Sequence, residues 1–135
     1  MKSGSINHIG IATLSLDEAE KIWSILGFTS TSDEIIEDQG VTVRYMRGAG
    51  NTNIELLEPI SNESPISRFI EKKGIGIQQI AINVENIESK IIELKNNGFR
   101  MINDEPVKGS DGKMIAFIHP SSCGGVLVEL VENII

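Results

Sequence analysis

An α+β fold of two tandem βαβββ modules, forming a curved sheet around a central cleft, follows from three observations. A strand-like segment passes directly into a capped amphipathic helix. Three further strand candidates follow before a short connector, and the same order then returns about 71 residues later. With 135 residues the chain is long enough for one domain, with modules at about 5–60 and 75–133.

Residues 6–13 alternate in strand fashion, with Ile9 and Ile11 on one face and Ile6, His8 and Gly10 on the other. The period then changes. Ser15 with Glu18 three residues on is a capping box, and Leu16, Ala19, Ile22, Trp23 and Leu26 form one apolar helical stripe ending at Gly27. Strands are expected at 28–36, 41–47 and 53–57, separated by Asp38-Gln39-Gly40 and Gly48-Ala49-Gly50-Asn51. Ser64-Pro65 opens a short connecting helix that stops at Gly74. The opening pattern then repeats as a strand at 77–84, an Asn86 cap, a helix with Ile87, Ile91 and Leu94 inward, and a stop at Gly98. Strands at 100–103, 114–118 and 125–131 complete the reading.

The repeat aligns Ile6-Asn7-His8-Ile9-Gly10-Ile11 with Ile77-Gln78-Gln79-Ile80-Ala81-Ile82, and carries Gly27-Phe28 onto Gly98-Phe99 without a gap. Ile54-Glu55-Leu56 resembles Val128-Glu129-Leu130 at a nearby offset. His8 and Gln79 on first strands, and Glu55 and Glu129 on last strands, thereby become pseudo-equivalent. A carboxylate embedded in an apolar strand is costly unless it is paired, hydrogen-bonded or bound to a metal. Two at equivalent places, with an imidazole and an amide beside them, offer one nitrogen and three oxygen donors. That set suits a borderline divalent ion such as Zn, Co, Ni or Mn.

Composition narrows the function classes. Hydrophobic residues make up 40% and charged residues 23%, the balance of a soluble globular protein. Twelve Lys and Arg against nineteen Asp and Glu give a net charge of −7, a field that repels nucleic acid and anionic membranes. No apolar run approaches the ~20 residues of a membrane helix. The start Met1-Lys2-Ser3-Gly4-Ser5 has no signal-peptide core, and the single Cys123 excludes an internal disulfide framework, so a cytoplasmic protein is expected. Cys123 itself reads as inert. Gly109-Ser110-Asp111-Gly112 is a turn, because no Walker lysine with serine or threonine follows.

The segments Asn7-His8-Ile9-Gly10-Ile11-Ala12, Gln39-Gly40-Val41, Ile54-Glu55-Leu56-Leu57-Glu58-Pro59, Ser64-Pro65-Ile66, His119-Pro120 and Gly124-Gly125-Val126-Leu127-Val128-Glu129-Leu130 carry a resemblance. Together they resemble the methylmalonyl-CoA epimerases of the vicinal oxygen chelate superfamily, which also holds glyoxalases, extradiol dioxygenases and antibiotic-binding proteins. The resemblance covers nearly the whole chain and implies a single vicinal-oxygen-chelate-type domain. It implies metal positions at His8, Glu55, Gln79 and Glu129, the four the repeat selects. Gln78-Gln79 stands where these epimerases have two histidines, and Ser121 stands where they have lysine.

The implied activity is interconversion of the 2R and 2S forms of methylmalonyl-CoA by metal-assisted proton abstraction through an enolate. Glu129 is then the catalytic base and Glu55 the second catalytic candidate. His119 and Lys113 are candidate substrate-binding residues, with Lys108 and Arg44 as further cations able to meet the phosphates of coenzyme A. His119 has a structural alternative, a bond to the backbone. The partner is an acyl-CoA, and the resemblance also implies a homodimer. Two rivals remain: a metal-free small-molecule binding protein of the same fold, and a glyoxalase (lactoylglutathione lyase).

Overall fold

In the computed structural model, residues 3–133 are described. Met1 and Lys2, read above as part of a start without a signal sequence, lie outside them. The chain divides into two compact units, residues 8–78 and residues up to 7 together with 79 onward.

The first unit takes in most of β1 (Ile6–Ala12), then α1 (Leu16–Ile25), β2 (Thr29–Ile36), β3 (Val41–Arg47), β4 (Asn53–Pro59) and α2 (Pro65–Lys73). Its strands lie in the order β2-β3-β4-β1, with β1 and β4 parallel and the other neighbours antiparallel. Helix α1 begins where the sequence places it, because the Ser15 side chain accepts from the Glu18 amide at 3.2 Å. The Glu58 carboxylate at the end of β4 accepts from the Leu16 amide at 2.9 Å, which ties the helix start to the last strand. One sheet face buries Met46, Ile54 and Leu56 against Leu16, with Ile9, Ile11, Ala19, Trp23 and Phe28 around them. Trp23 meets Phe28 edge to face at 5.8 Å between centroids.

The opposite face carries Ala12, Val41, Val43, Tyr45 and Leu57, packed with Ile66, Phe69 and Ile70 of α2. The expected connector is therefore also a cover. It is fixed at its start by Ser64, which accepts from the Ser67 amide, and by Pro65 in the first turn. Gly40, in the left-handed region at φ 66°, lets the chain pass Ser64, where a Cβ would stand only 2.7 Å from the Ser64 Cβ.

The second unit contains most of β5 (Gly76–Val84), then α3 (Ile87–Asn96), β6 (Val107–Lys108), β7 (Met114–Ile118) and β8 (Leu127–Glu132), in the strand order β5-β8-β7-β6. Again the first and last strands run parallel. Asn86 accepts from the Ser89 amide at 3.0 Å, and Glu132 accepts from the Ile87 amide at 3.0 Å, repeating the Glu58 contact. Helix α3 packs Ile87 and Ile91 on Val84, Ala116, Ile118 and Leu130. The other face carries Ala81, Ile115 and Val131, with Val107 and Phe117 beside them.

Most strand limits fall within two residues of expectation, and the largest departures are in the second half. The segment 100–103 is not a strand: only Met101 bridges Ile118, and the outer strand is the two-residue β6. The last strand begins at Leu127 rather than at 125, because Gly124 and Gly125 take positive φ values of 64° and 91° and form the turn before it. Among the described residues, no helix is long and apolar enough to cross a membrane.

Candidate functional site

Parallel pairing sets Glu55 opposite Gly10, two residues after His8, and registered residues of neighbouring strands share a face. His8 and Glu55 therefore project from one side of the first unit. His8 Nδ1 stands 3.1 Å from Glu55 Oε2, with 1% and 6% of the two residues exposed. The second unit repeats the arrangement. Glu129 is registered opposite Ala81, two residues after Gln79, and Gln79 Nε2 donates to Glu129 Oε1 at 2.5 Å. Gln79 and Glu129 are 7% and 3% exposed.

Each unit thus holds one buried carboxylate bonded to one nitrogen donor from its first strand. On the neighbouring antiparallel strand, Tyr45 stands opposite Glu55 and Phe117 opposite Glu129, so an aromatic ring flanks each carboxylate. The Tyr45 hydroxyl donates to Glu34, and the Arg47 guanidinium sits 5.6 Å from the Tyr45 ring centroid. The sequence reading missed both aromatics, because Tyr45 and Phe117 lie out of step with the offset that aligns the first strands.

The chemistry of the donor set fits a divalent cation. Two carboxylates, an imidazole and an amide oxygen are ligands of the borderline metals, and buried carboxylates gain most from a cation. Among the described residues, no three His, Cys, Asp or Glu side chains gather as a metal-holding group. The donors are described as two pairs, one in each unit.

The remaining candidates fall in different places. His119 follows β7 and caps a single 3-10 turn, its Nδ1 accepting from the Ser121 amide at 3.0 Å and lying 2.7 Å from the Ser121 hydroxyl. Lys113 donates from Nζ to Asn133 Oδ1 at 3.2 Å. Lys108 is exposed on β6. Arg44 is held by Asp33 through two bonds at 2.8 and 2.9 Å and by Asp17 at 2.8 Å, with Glu20 at 3.4 Å. Those partners push the guanidinium pKa up, and the Arg44 bond holds the Asp33 carboxyl below the usual aspartate range. Cys123 packs against the core under α3, and burial pushes its thiol pKa up, away from the thiolate.

Residues 7–117 match the model of the glyoxalase/bleomycin resistance protein/dioxygenase superfamily. The chain belongs to this superfamily. Superfamily members similar to it include human mitochondrial methylmalonyl-CoA epimerase, 39% identical over 96% of this chain and 74% of that one. Ethylmalonyl-CoA/methylmalonyl-CoA epimerase of Cereibacter sphaeroides is 38% identical over 96% of this chain and 98% of its own length. Among solved members, a variant of Streptomyces coelicolor methylmalonyl-CoA epimerase in complex with 2-nitronate-propionyl-CoA superposes with a TM-score of 0.90. It is 32% identical, covering 96% of this chain and 94% of that one. Within the superfamily the chain is an epimerase-like isomerase.

Proposed function

We propose that the protein interconverts the 2R and 2S forms of methylmalonyl-CoA, with His8, Glu55, Gln79 and Glu129 as ligands of a divalent ion. The observation that carries the reading is the duplicated, buried pairing of a carboxylate with a nitrogen donor in the two halves. Relatives that act on methylmalonyl-CoA, and a relative in complex with an acyl-CoA analogue, support the choice of substrate. An ion bound to this set would supply positive charge against which the negative charge of the deprotonated thioester is stabilised.

The chain's own groups handle the proton. The hydrogen on the carbon between thioester and carboxylate leaves to the Glu129 carboxylate, which the Gln79 amide positions by donating to Oε1. Return of a proton to the opposite face of that carbon inverts it, and Glu55, paired with His8, is the second acid–base group assigned to that step when it is not bound to the ion. Exchange of the carboxyl protons with water restores the starting state. The reading carries with it an acyl-CoA partner, a homodimer and a cytoplasmic location.

Incubation with methylmalonyl-CoA in deuterium oxide tests it. Deuterium at the epimerised carbon, lost on treatment with a chelator and restored by Co, Ni, Zn or Mn, is expected. No exchange in fully metal-loaded protein refutes the epimerase reading.

A further inference from the structure

On the face that carries each carboxylate, the two halves differ at one end. In the first unit the row beyond Glu55 is apolar, with Ala12, Val41 and Leu57 covered by α2. In the second unit the places of Ala12, Val41 and Pro59 are taken by Asn83, Lys113 and Asn133, and among the described residues no helix of that unit packs against the adjacent Ala81, Ile115 and Val131 cluster. The polar row is built. Asn133 Nδ2 donates to Asn83 Oδ1 at 3.1 Å, and Asn7 donates to the same oxygen at 2.9 Å. Asn83 donates in turn to Ser5 Oγ at 2.9 Å. This fixes which end of the Asn133 amide faces Lys113: the carbonyl oxygen, which holds the ammonium.

In a chain with nineteen acidic residues, Lys113 is half-buried and, among the described residues, has no carboxylate partner. Lys21, Lys90, Lys95 and Arg44 all have one. A part-buried cation left with a neutral amide is a point ready for an anion. Its distance from the carboxylate selects the anion. Phe117 is registered opposite Glu129, and Lys113 precedes it by four residues of extended chain, about 14 Å along the strand. The apolar Ile115 and Val131 lie between. The carboxylate of a malonyl thioester is bonded to the reacting carbon and stays with the Glu129 end. The phosphates of coenzyme A lie beyond the long pantetheine arm.

Building on the acyl-CoA reading above, we propose that Lys113, positioned by Asn133, binds a phosphate group of the coenzyme A moiety. Lys108 cannot share the role from its place, because it is registered opposite Met114 and so projects from the other face of the strand pair. Arg44 is already held by its carboxylates.

Calorimetric titration of the unmodified protein with coenzyme A and with pantetheine is the first test. Coenzyme A is expected to bind about tenfold tighter, a difference of about 1.4 kcal/mol, and Lys113→Met should erase that preference while Lys113→Arg keeps most of it. In turnover, Lys113→Met should raise KM for methylmalonyl-CoA about tenfold with kcat unchanged, and leave the pantetheine thioester unaffected. Asn133→Ala should raise the same KM more weakly. Equal affinity for coenzyme A and pantetheine in the unmodified protein, or a Lys113→Met effect of the same size on both thioesters, overturns the proposal. Lys113-dependent binding of coenzyme A without exchange at the methylmalonyl carbon upholds the phosphate anchor and removes the epimerase reading instead.

Discussion

Replacing Gln79 by histidine supplies an imidazole where the resemblance implies one, and imidazole nitrogen binds borderline metals better than a neutral amide oxygen. Gln79→His is expected to tighten uptake of a divalent ion, read by metal titration, with turnover kept or raised. Glu129→Gln removes a negative ligand and the proton acceptor together, and turnover should fall on the order of a hundredfold or more. The neighbouring Gln78 poses a separate question of stability. Its Oε1 is buried without a hydrogen-bond partner among the described residues, and an orphaned carbonyl costs about 1–3 kcal/mol. Gln78→Met should therefore raise the unfolding free energy by about 1 kcal/mol in denaturant titration. The matched placement of His8 with Gln79 and of Glu55 with Glu129 was legible in the sequence, because a repeat converts isolated polar residues into a matched set. Asn133 was not, since an asparagine at a strand end looks like any solvated terminus until the ammonium it holds is seen.

At the scale of elements, the same device fastens each long helix to its sheet. Glu58 and Glu132 close off the first amides of α1 and α3, satisfying donors that a helix start leaves open. Glu58→Ala or Glu132→Ala should each lower stability by about 1–2 kcal/mol, checked by thermal unfolding. Arg44 adds a second tie, from β3 to β2 through Asp33 and to α1 through Asp17. Because Asp33 is held below the ordinary aspartate range, its contribution is complete at neutral pH and fades as pH falls through the lowered value. The group is partly exposed, so the difference between the unmodified protein and Asp33→Asn should be under about 1 kcal/mol at pH 7. It should vanish in acid, in paired melts across pH. The helix starts were readable from Ser15, Ser64 and Asn86, where local chemistry decides. The short β6, and the role of α2 as a cover, depend on contacts distant in sequence, which no local pattern records.

For the molecule as a whole, a homodimer is the expected state, and light scattering at working concentration should return twice the mass of one 14.7 kDa chain. The duplication was visible from spacing alone, and parallel pairing of first with last strand in both halves agrees with it. The repeat places the join between the modules at the connector, between Pro59 and Ile75. The structural division falls elsewhere, inside β1 and β5, so that Ser5 and Asn7 serve the second unit by bonding Asn83. A chain severed in the connector would hence leave its C-terminal piece without part of its own unit, and its N-terminal piece carrying residues that belong to the other. Such fragments are complements rather than halves: expressed singly, residues 63–135 should give no cooperative melt, while mixing with residues 1–62 should restore one.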